Sequence, residues 1–286
     1  MALSVTISNL HRSFGHDLRW MVELAKIADL AGIDQIAVSD HVLMGERTDL
    51  YPFGKFPFRP DEPWMEPLTV LAAIASVTQR VRLATGILIA PLRSAPLLAK
   101  TVATLDVLSG GRVDLGVGIG WQREEYDAVG VPFEKRWDTL TDTLRACRAL
   151  WRDVPASFGS PSVRFERVYS TPLPVQTPIP IWYGARMSPA LARRIADLGE
   201  GWYPLASATA GEIHEGASLL REAFVAARRD PSTIRIRAGL PAQRGADAAA
   251  ELRAAGATIL AVPMAGIRSL DAAKAYFEAV VAELAA

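Results

Sequence analysis

A single cysteine, Cys147, rules out an intramolecular disulfide and any cysteine-based metal cluster. Leu144, Leu150 and Trp151 repeat around it at helical spacing, so it reads as a small apolar residue on a helix core face rather than a nucleophile. An excess of either charge is missing too. Lys+Arg and Asp+Glu both total 31, a formal net charge of +0, so nothing favours capture of nucleic acid or an anionic membrane. The same balance gives little repulsion between copies and permits self-association. No apolar run approaches the roughly 20 residues that span a bilayer. Met1 to Asn9 lacks the basic start and long apolar stretch of a signal peptide. A cytoplasmic location is the expectation. Histidine is scarce, with only His11, His16, His41 and His214.

What is present is a folded core, with 50% hydrophobic and 22% charged residues among 286. Leu3, Val5 and Ile7 alternate with Ser4, Thr6 and Ser8, the period of a strand. Leu18, Met21, Val22, Ala25 and Ala28 then recur at helical spacing up to Gly32. Further strand-like segments at 36–38, 81–90, 113–119, 179–183, 201–205, 233–239 and 258–264 are each followed by a helical one, which makes eight units. Such alternation predicts parallel strands with helical crossovers. Three helix-to-strand joints end at glycine, namely Gly32, Gly199 and Gly256, where a left-handed C-cap costs little. An open doubly wound sheet shares these local features. Eight units and this length favour closure into an α/β, (β/α)8 TIM barrel forming one domain over 1–286, with its site at the C-terminal ends of the strands.

Two excursions break the rhythm. Residues 42–63 follow the second strand and carry Tyr51, Phe53, Phe56 and Phe58, with Trp64 just beyond. Residues 153–178 precede the fifth strand, are rich in proline, and hold a short strand marked by Val163, Phe165 and Val168. Leaving the C-terminal end of a barrel strand, 42–63 reads as a lid over the pocket or as an ordinary surface loop.

Asp40-His41 closes the second strand at the expected rim. Histidine titrates near neutrality and serves as acid or base, and a neighbouring carboxylate can orient it; a structural role fits the position equally. His11 and His16 flank a strand–helix loop near the same rim, and His214 lies in a helix as a solvated residue. The other strand ends offer Asn9, Gly86, Gly120, Gly184, Pro204, Leu240 and Met264, poor metal ligands, so no metal is expected. Gly116-Val117-Gly118-Ile119-Gly120 superficially resembles a dinucleotide fingerprint with its third glycine misplaced. Those glycines make room for a flat ligand or for tight packing. Gly184-Ala185-Arg186-Met187-Ser188-Pro189 joins the fifth strand to its helix. Ser188 is a plausible N-cap and Pro189 a first-turn residue, so the segment suits a phosphate or is a plain cap with a surface arginine. Arg47, Lys55, Arg59 and Arg93 are either contacts for an anion or solvated charges.

Four stretches together resemble the luciferase-like oxidoreductases, in particular the branch that uses the deazaflavin coenzyme F420. They are Ser39-Asp40-His41, Arg82 to Gly120, Trp121 to Arg136, and Ile179 to Pro204. The resemblance implies a (β/α)8 barrel and hydride transfer between the deazaflavin and an organic substrate. It places Thr85, Gly86 and Ile87 behind the ring, with Gly86-Ile87 as a non-proline cis peptide. It gives the coenzyme phosphate to Gly184, Ala185, Arg186, Met187 and Ser188, the ring's polar edge to Asp40, and acid–base work to His41. An apolar substrate pocket beside Phe53, Phe56, Phe58, Trp64 and Trp121, and a homodimer, complete the expectation. Two departures stand out. Trp121 takes the place where the sugar-phosphate dehydrogenase branch has a glutamate, which speaks against a sugar phosphate. Gly184-Ala185-Arg186-Met187 replaces the paired glycines often seen in relatives, with Arg186 as compensation. An FMN-dependent monooxygenase of the same family is the alternative reading, and a non-catalytic flavin or deazaflavin binder a further one.

Overall fold

In a computed structural model of the chain, all residues are described except 16, 242–244 and 285–286. Among the described residues the strands are β1 (Ala2–Thr6), β2 (Gln35–Val38), β3 (Arg82–Thr85), β4 (Leu88–Ile89), β5 (Val113–Gly118), β6 (Ala156–Gly159), β7 (Arg164–Val168), β8 (Ile181–Gly184), β9 (Gly201–Tyr203), β10 (Arg235–Gly239) and β11 (Ile259–Val262). Parallel pairing runs β1–β2–β3–β5–β8–β9–β10–β11 and returns to β1, so eight strands close a barrel. The apolar run 81–90, expected as one strand, is two. Gly86-Ile87 is a cis peptide between β3 and β4, and β4 resumes on β5 with Leu88 opposite Val117. The second excursion holds an antiparallel hairpin, β6 with β7, where a single strand was expected.

Alternation along the strands sorts side chains to two sides. Leu3, Val5, Ile36, Leu83, Leu115 and Ile181 are all 0% exposed in the layer between barrel and helices. Long apolar stretches arise because these strands are covered on both faces. Inside the barrel a separate cluster forms from Trp182, Tyr203 and Ile259.

The helix-to-strand joints differ in detail. Gly32 caps its helix at φ 93° and Gly256 stands at φ 111°, both in the left-handed region. Gly199 is extended instead, at φ −117°. Its need for glycine is room, because a Cβ there would lie 3.0 Å from the Ile181 carbonyl oxygen and from the Tyr183 ring. At the Gly32 joint, Asp29 fastens the entry to β3. Its carboxylate accepts from the backbone N–H groups of Gln79, Arg80 and Val81 at 2.8, 3.0 and 2.7 Å. Burial alone would raise this carboxyl, but the three donors outweigh it and hold it below the usual range. Cys147 is buried in the helix Arg136–Arg152, and burial pushes its thiol up to about 12.

Candidate active site

The lower barrel interior is closed by bonded polar groups and stacked rings. Asp114 accepts from Arg82 Nε at 2.9 Å and Nη2 at 2.7 Å, and from Gln35 Nε2 at 2.8 Å. Gln35 in turn accepts from Ser4 at 3.0 Å. The rings of Trp182 and Tyr203 stack at 5.2 Å. These bonds satisfy the buried side chains of Asp114, Gln35 and Ser4.

Above this floor the inward positions turn small. Register places Ala37, Ala84, Gly116, Gly118, Gly184, Gly239 and Ala261 on the lumen side. Glycine is required at two of them by one neighbour. A Cβ on Gly118 would sit 1.9 Å from Ile87 Cδ1, and one on Gly184 would sit 2.6 Å from Ile87 Cγ2. The Ile87 side chain therefore lies in a slot between β5 and β8. Thr85 spends its hydroxyl on the Gly116 carbonyl at 2.6 Å, and Gly86 N donates to the Val38 carbonyl at 2.8 Å. Thr85, Gly86 and Ile87 thus form a fixed ledge at the C-terminal end of the barrel.

His41 sits at the same end. Its Nδ1 lies 3.1 Å from Glu125 Oε2, and the other Glu125 oxygen accepts from Val42 N at 2.8 Å. Glu125 is wholly buried in the first turn of the helix Arg123–Val129. Around the imidazole stand Trp64, Trp121 and Phe56 at 4.5, 6.1 and 6.2 Å, each edge-on. Among the described residues, Nε2 has no hydrogen-bond partner, and the side chain keeps 8% exposure. A buried carboxylate behind an imidazole whose far nitrogen is open is an arrangement for moving one proton.

Residues 42–63 pack over this histidine. Tyr51, Phe53, Phe56, Phe58, Trp64 and Trp121 form one chain of ring contacts between 5.1 and 5.6 Å. Gly45 N donates to Gln122 Oε1 at 2.9 Å, which ties the loop to the segment after β5. The cationic side chains here are mostly spent locally: Arg47 pairs with Asp49 and Arg59 with Asp61 on the surface.

Asp40 and Arg93 differ from expectation. The Asp40 carboxylate is fully buried and accepts from Ile89 N at 2.8 Å and from both Arg93 terminal nitrogens at 2.7 and 2.9 Å. Its oxygens are engaged by β4 and by the start of the next helix rather than offered to a ring edge. Arg93, left open between an anion contact and a solvated charge, is half of this bidentate pair and also reaches Glu66 at 3.0 Å.

Across the mouth, Ser188 caps the helix Pro189–Leu198, accepting from Leu191 N at 3.2 Å. Among the described residues, nothing accepts from the backbone N–H groups of Arg186, Met187 and Ser188. Trp202 Nε1 donates to the Ala185 carbonyl at 2.9 Å and steadies the turn, and Arg186 is exposed. His11 lies against Glu62 at 3.4 Å, on the inner side of the loop 42–63, and His214 is exposed on the helix Ala210–Ala226. His16 lies outside the described residues. Among the described residues, no group of three or more His, Cys, Asp or Glu comes together to hold a metal, and no helix is long and apolar enough to cross a membrane.

Glu125 was missed in the sequence. Its one signal was its place in Glu124-Glu125, four residues beyond the glycine-rich strand end.

The luciferase-like monooxygenase family model matches residues 2–284. An uncharacterized protein of Mycobacterium tuberculosis is 34% identical, over 91% of this chain and 92% of its own length. An F420-dependent glucose-6-phosphate dehydrogenase of Gordonia bronchialis is 30% identical over 75% of this chain, which spans 59% of that enzyme. The crystal structure of the monooxygenase RslO1 from Streptomyces bottropensis superposes with a TM-score of 0.78 at 22% identity, covering 100% of this chain and 99% of that one; it speaks for the fold.

Proposed function

Given that the chain belongs to the luciferase-like monooxygenase family, we propose that it is a coenzyme F420-dependent oxidoreductase acting on an organic substrate. The observation that carries this reading is the ledge of Thr85, Gly86 and Ile87 facing the His41–Glu125 pair across a mouth walled by small residues. The 30% identity to an F420-dependent relative supports the choice of coenzyme.

The residues fit a tricyclic ring with a phosphate tail. Gly118 and Gly184 make room inside the barrel for the Ile87 side chain, which gives a flat ligand an apolar surface to rest on. The unpartnered backbone N–H groups at 186–188 start a helix and favour an anion, and Arg186 adds charge. When bound, the deazaflavin supplies a two-electron hydride donor or acceptor. His41 holds or takes the paired proton at Nε2, and Glu125 fixes the imidazole from the other side. Asp40 acts at one remove, locking β4 and Arg93 so that the ledge and His41 keep their spacing. Residues 42–63 serve as a lid that keeps water from the aromatic box around His41. The box makes the substrate's reacting region apolar. A homodimer belongs to the same proposal, and light scattering after gel filtration reads it.

FMN-dependent monooxygenation is the second reading, in keeping with the match to the luciferase-like monooxygenase family model. Titrating the purified protein with the deazaflavin and separately with FMN, by quenching of its 7 tryptophans, decides between them. Micromolar deazaflavin binding with weak FMN binding is the expected result. The reverse, with oxygen consumed in the presence of reduced FMN, overturns the first reading.

A further inference from the structure

Arg237, on β10, has no anionic partner. Its guanidinium turns into the lumen, with Nε on Ser4 Oγ and Nη2 on Thr6 Oγ1, both at 2.9 Å, and lies over the Tyr203 ring at 5.1 Å. Among the described residues, Nη1 has no hydrogen-bond partner, and no carboxylate lies within 4.0 Å of the side chain. The other charged groups facing this part of the lumen are Arg82 and Asp114, and they satisfy each other at 2.7 Å. One positive charge is therefore left over at the floor of the chamber.

That is an unusual way to place an arginine. Burial disfavours its charged form and lowers its pKa, with only Tyr203 working the other way. A guanidinium stays protonated regardless, so the desolvation stands against folding unless an anion repays it. The surroundings accept such an anion. Thr6 pairs with Ala37 in register, and Gly86 stacks on Ala37, so the Thr6 end of the guanidinium lies just beneath the ledge. Toward the mouth the next inward positions are the small Gly239 and Ala261, with the Ala206 backbone packed against Gly239.

We propose that Arg237 is the substrate-recognition residue of the barrel floor, taking the carboxylate of an organic acid whose apolar part lies toward His41. The inference rests on reading the mouth as the substrate chamber, and not on which ring binds at the ledge. It separates this chain from enzymes for neutral alcohols or ketones. It also places the acid group deep in the barrel, away from the phosphate-binding turn at Gly184 to Ser188.

Benzoate and its neutral match benzamide test this by calorimetric titration of the unmodified protein. Benzoate is expected to bind about tenfold more tightly, the size of one charge-assisted pair. Arg237→Met should abolish that preference and leave affinity for the deazaflavin within about twofold, with an unchanged circular dichroism spectrum. Equal binding of the two probes to the unmodified protein overturns the proposal, and so does a benzoate preference that survives Arg237→Met. Loss of deazaflavin affinity in Arg237→Met, with no benzoate preference in the parent, also overturns it and gives the arginine to the coenzyme. Absence of deazaflavin binding in both proteins counts against the coenzyme reading alone, since the benzoate comparison is read without it.

Discussion

His41 Nδ1 and Glu125 Oε2 meet at 3.1 Å although 84 residues separate them in the chain. One comes from the end of β2 and the other from the first turn of the helix Arg123–Val129, so the pair exists only once the barrel has closed. Replacing His41 with Ala should lower kcat by ~10²–10⁴, the usual worth of a positioned acid or base. Glu125→Gln should lower kcat by about tenfold or more while KM and coenzyme affinity stay near their starting values, because Glu125 orients rather than binds. Steady-state kinetics with a coupled coenzyme titration reads both. Full turnover by His41→Ala would remove the acid–base role.

The ledge makes a second prediction through a rescue. Gly184→Ala places a methyl group 2.6 Å from Ile87 Cγ2, so the Ile87 side chain, which already lies inside the barrel, must shift against its neighbours. Coenzyme affinity should fall at least tenfold with a modest loss of stability, ~1–3 kcal/mol as for other overpacked sites. Adding Ile87→Ala should recover much of the affinity by emptying the slot. Gly116→Ala differs in kind, since its Cβ would meet the Thr85 carbonyl at 2.0 Å and the Tyr203 ring at 2.6 Å. Backbone cannot rotate away, so that variant should lose soluble yield.

Asp29 gives a pH dependence with a definite sign. Its carboxyl titrates lower in the folded chain than in the unfolded one, so its stabilisation is complete above the unfolded carboxylate range and is lost as pH falls through the lowered folded value. Urea midpoints of the protein and of Asp29→Asn should differ clearly at pH 7. They should draw together as pH falls from about 4, where the unfolded carboxyl protonates, and meet once the pH has passed the lowered folded value.

Cys147, whose thiol is held up at about 12, should resist iodoacetamide in the native protein at pH 8 and react once in urea. Mass spectrometry distinguishes the two states, and native labelling would show that the helix Arg136–Arg152 opens locally.

The barrel was legible because its signals are local and repeated. Leu3, Val5 and Ile7 announce a strand, and Gly32 and Gly256 announce joints, with no knowledge of their partners. His41 drew notice because it sits at a strand end. Its partner did not, because nothing in Glu124-Glu125 says which carboxylate turns inward. The same limit hid the Asp40–Arg93 pair, formed by residues 53 apart, so that Asp40 was assigned to the ligand and Arg93 left between an anion and solvent. The break at Gly86-Ile87 was invisible to periodicity, because an apolar run reads alike whether one strand or two. Arg237 drew no notice because its meaning lies in what its neighbours fail to supply.

The filled barrel floor sets the traffic of the enzyme. Asp114, Gln35, Trp182 and Tyr203 pack the lower end with buried side chains, so a ligand of the barrel enters from the C-terminal end. A molecule whose head rests on Arg237 lies beneath whatever covers the ledge. It must then arrive before that cover or wait for it to lift, and the product leaves in the reverse of that queue. With the substrate on Arg237 and the coenzyme on the ledge, as proposed above, binding order follows from depth in the barrel before any rate constant is considered.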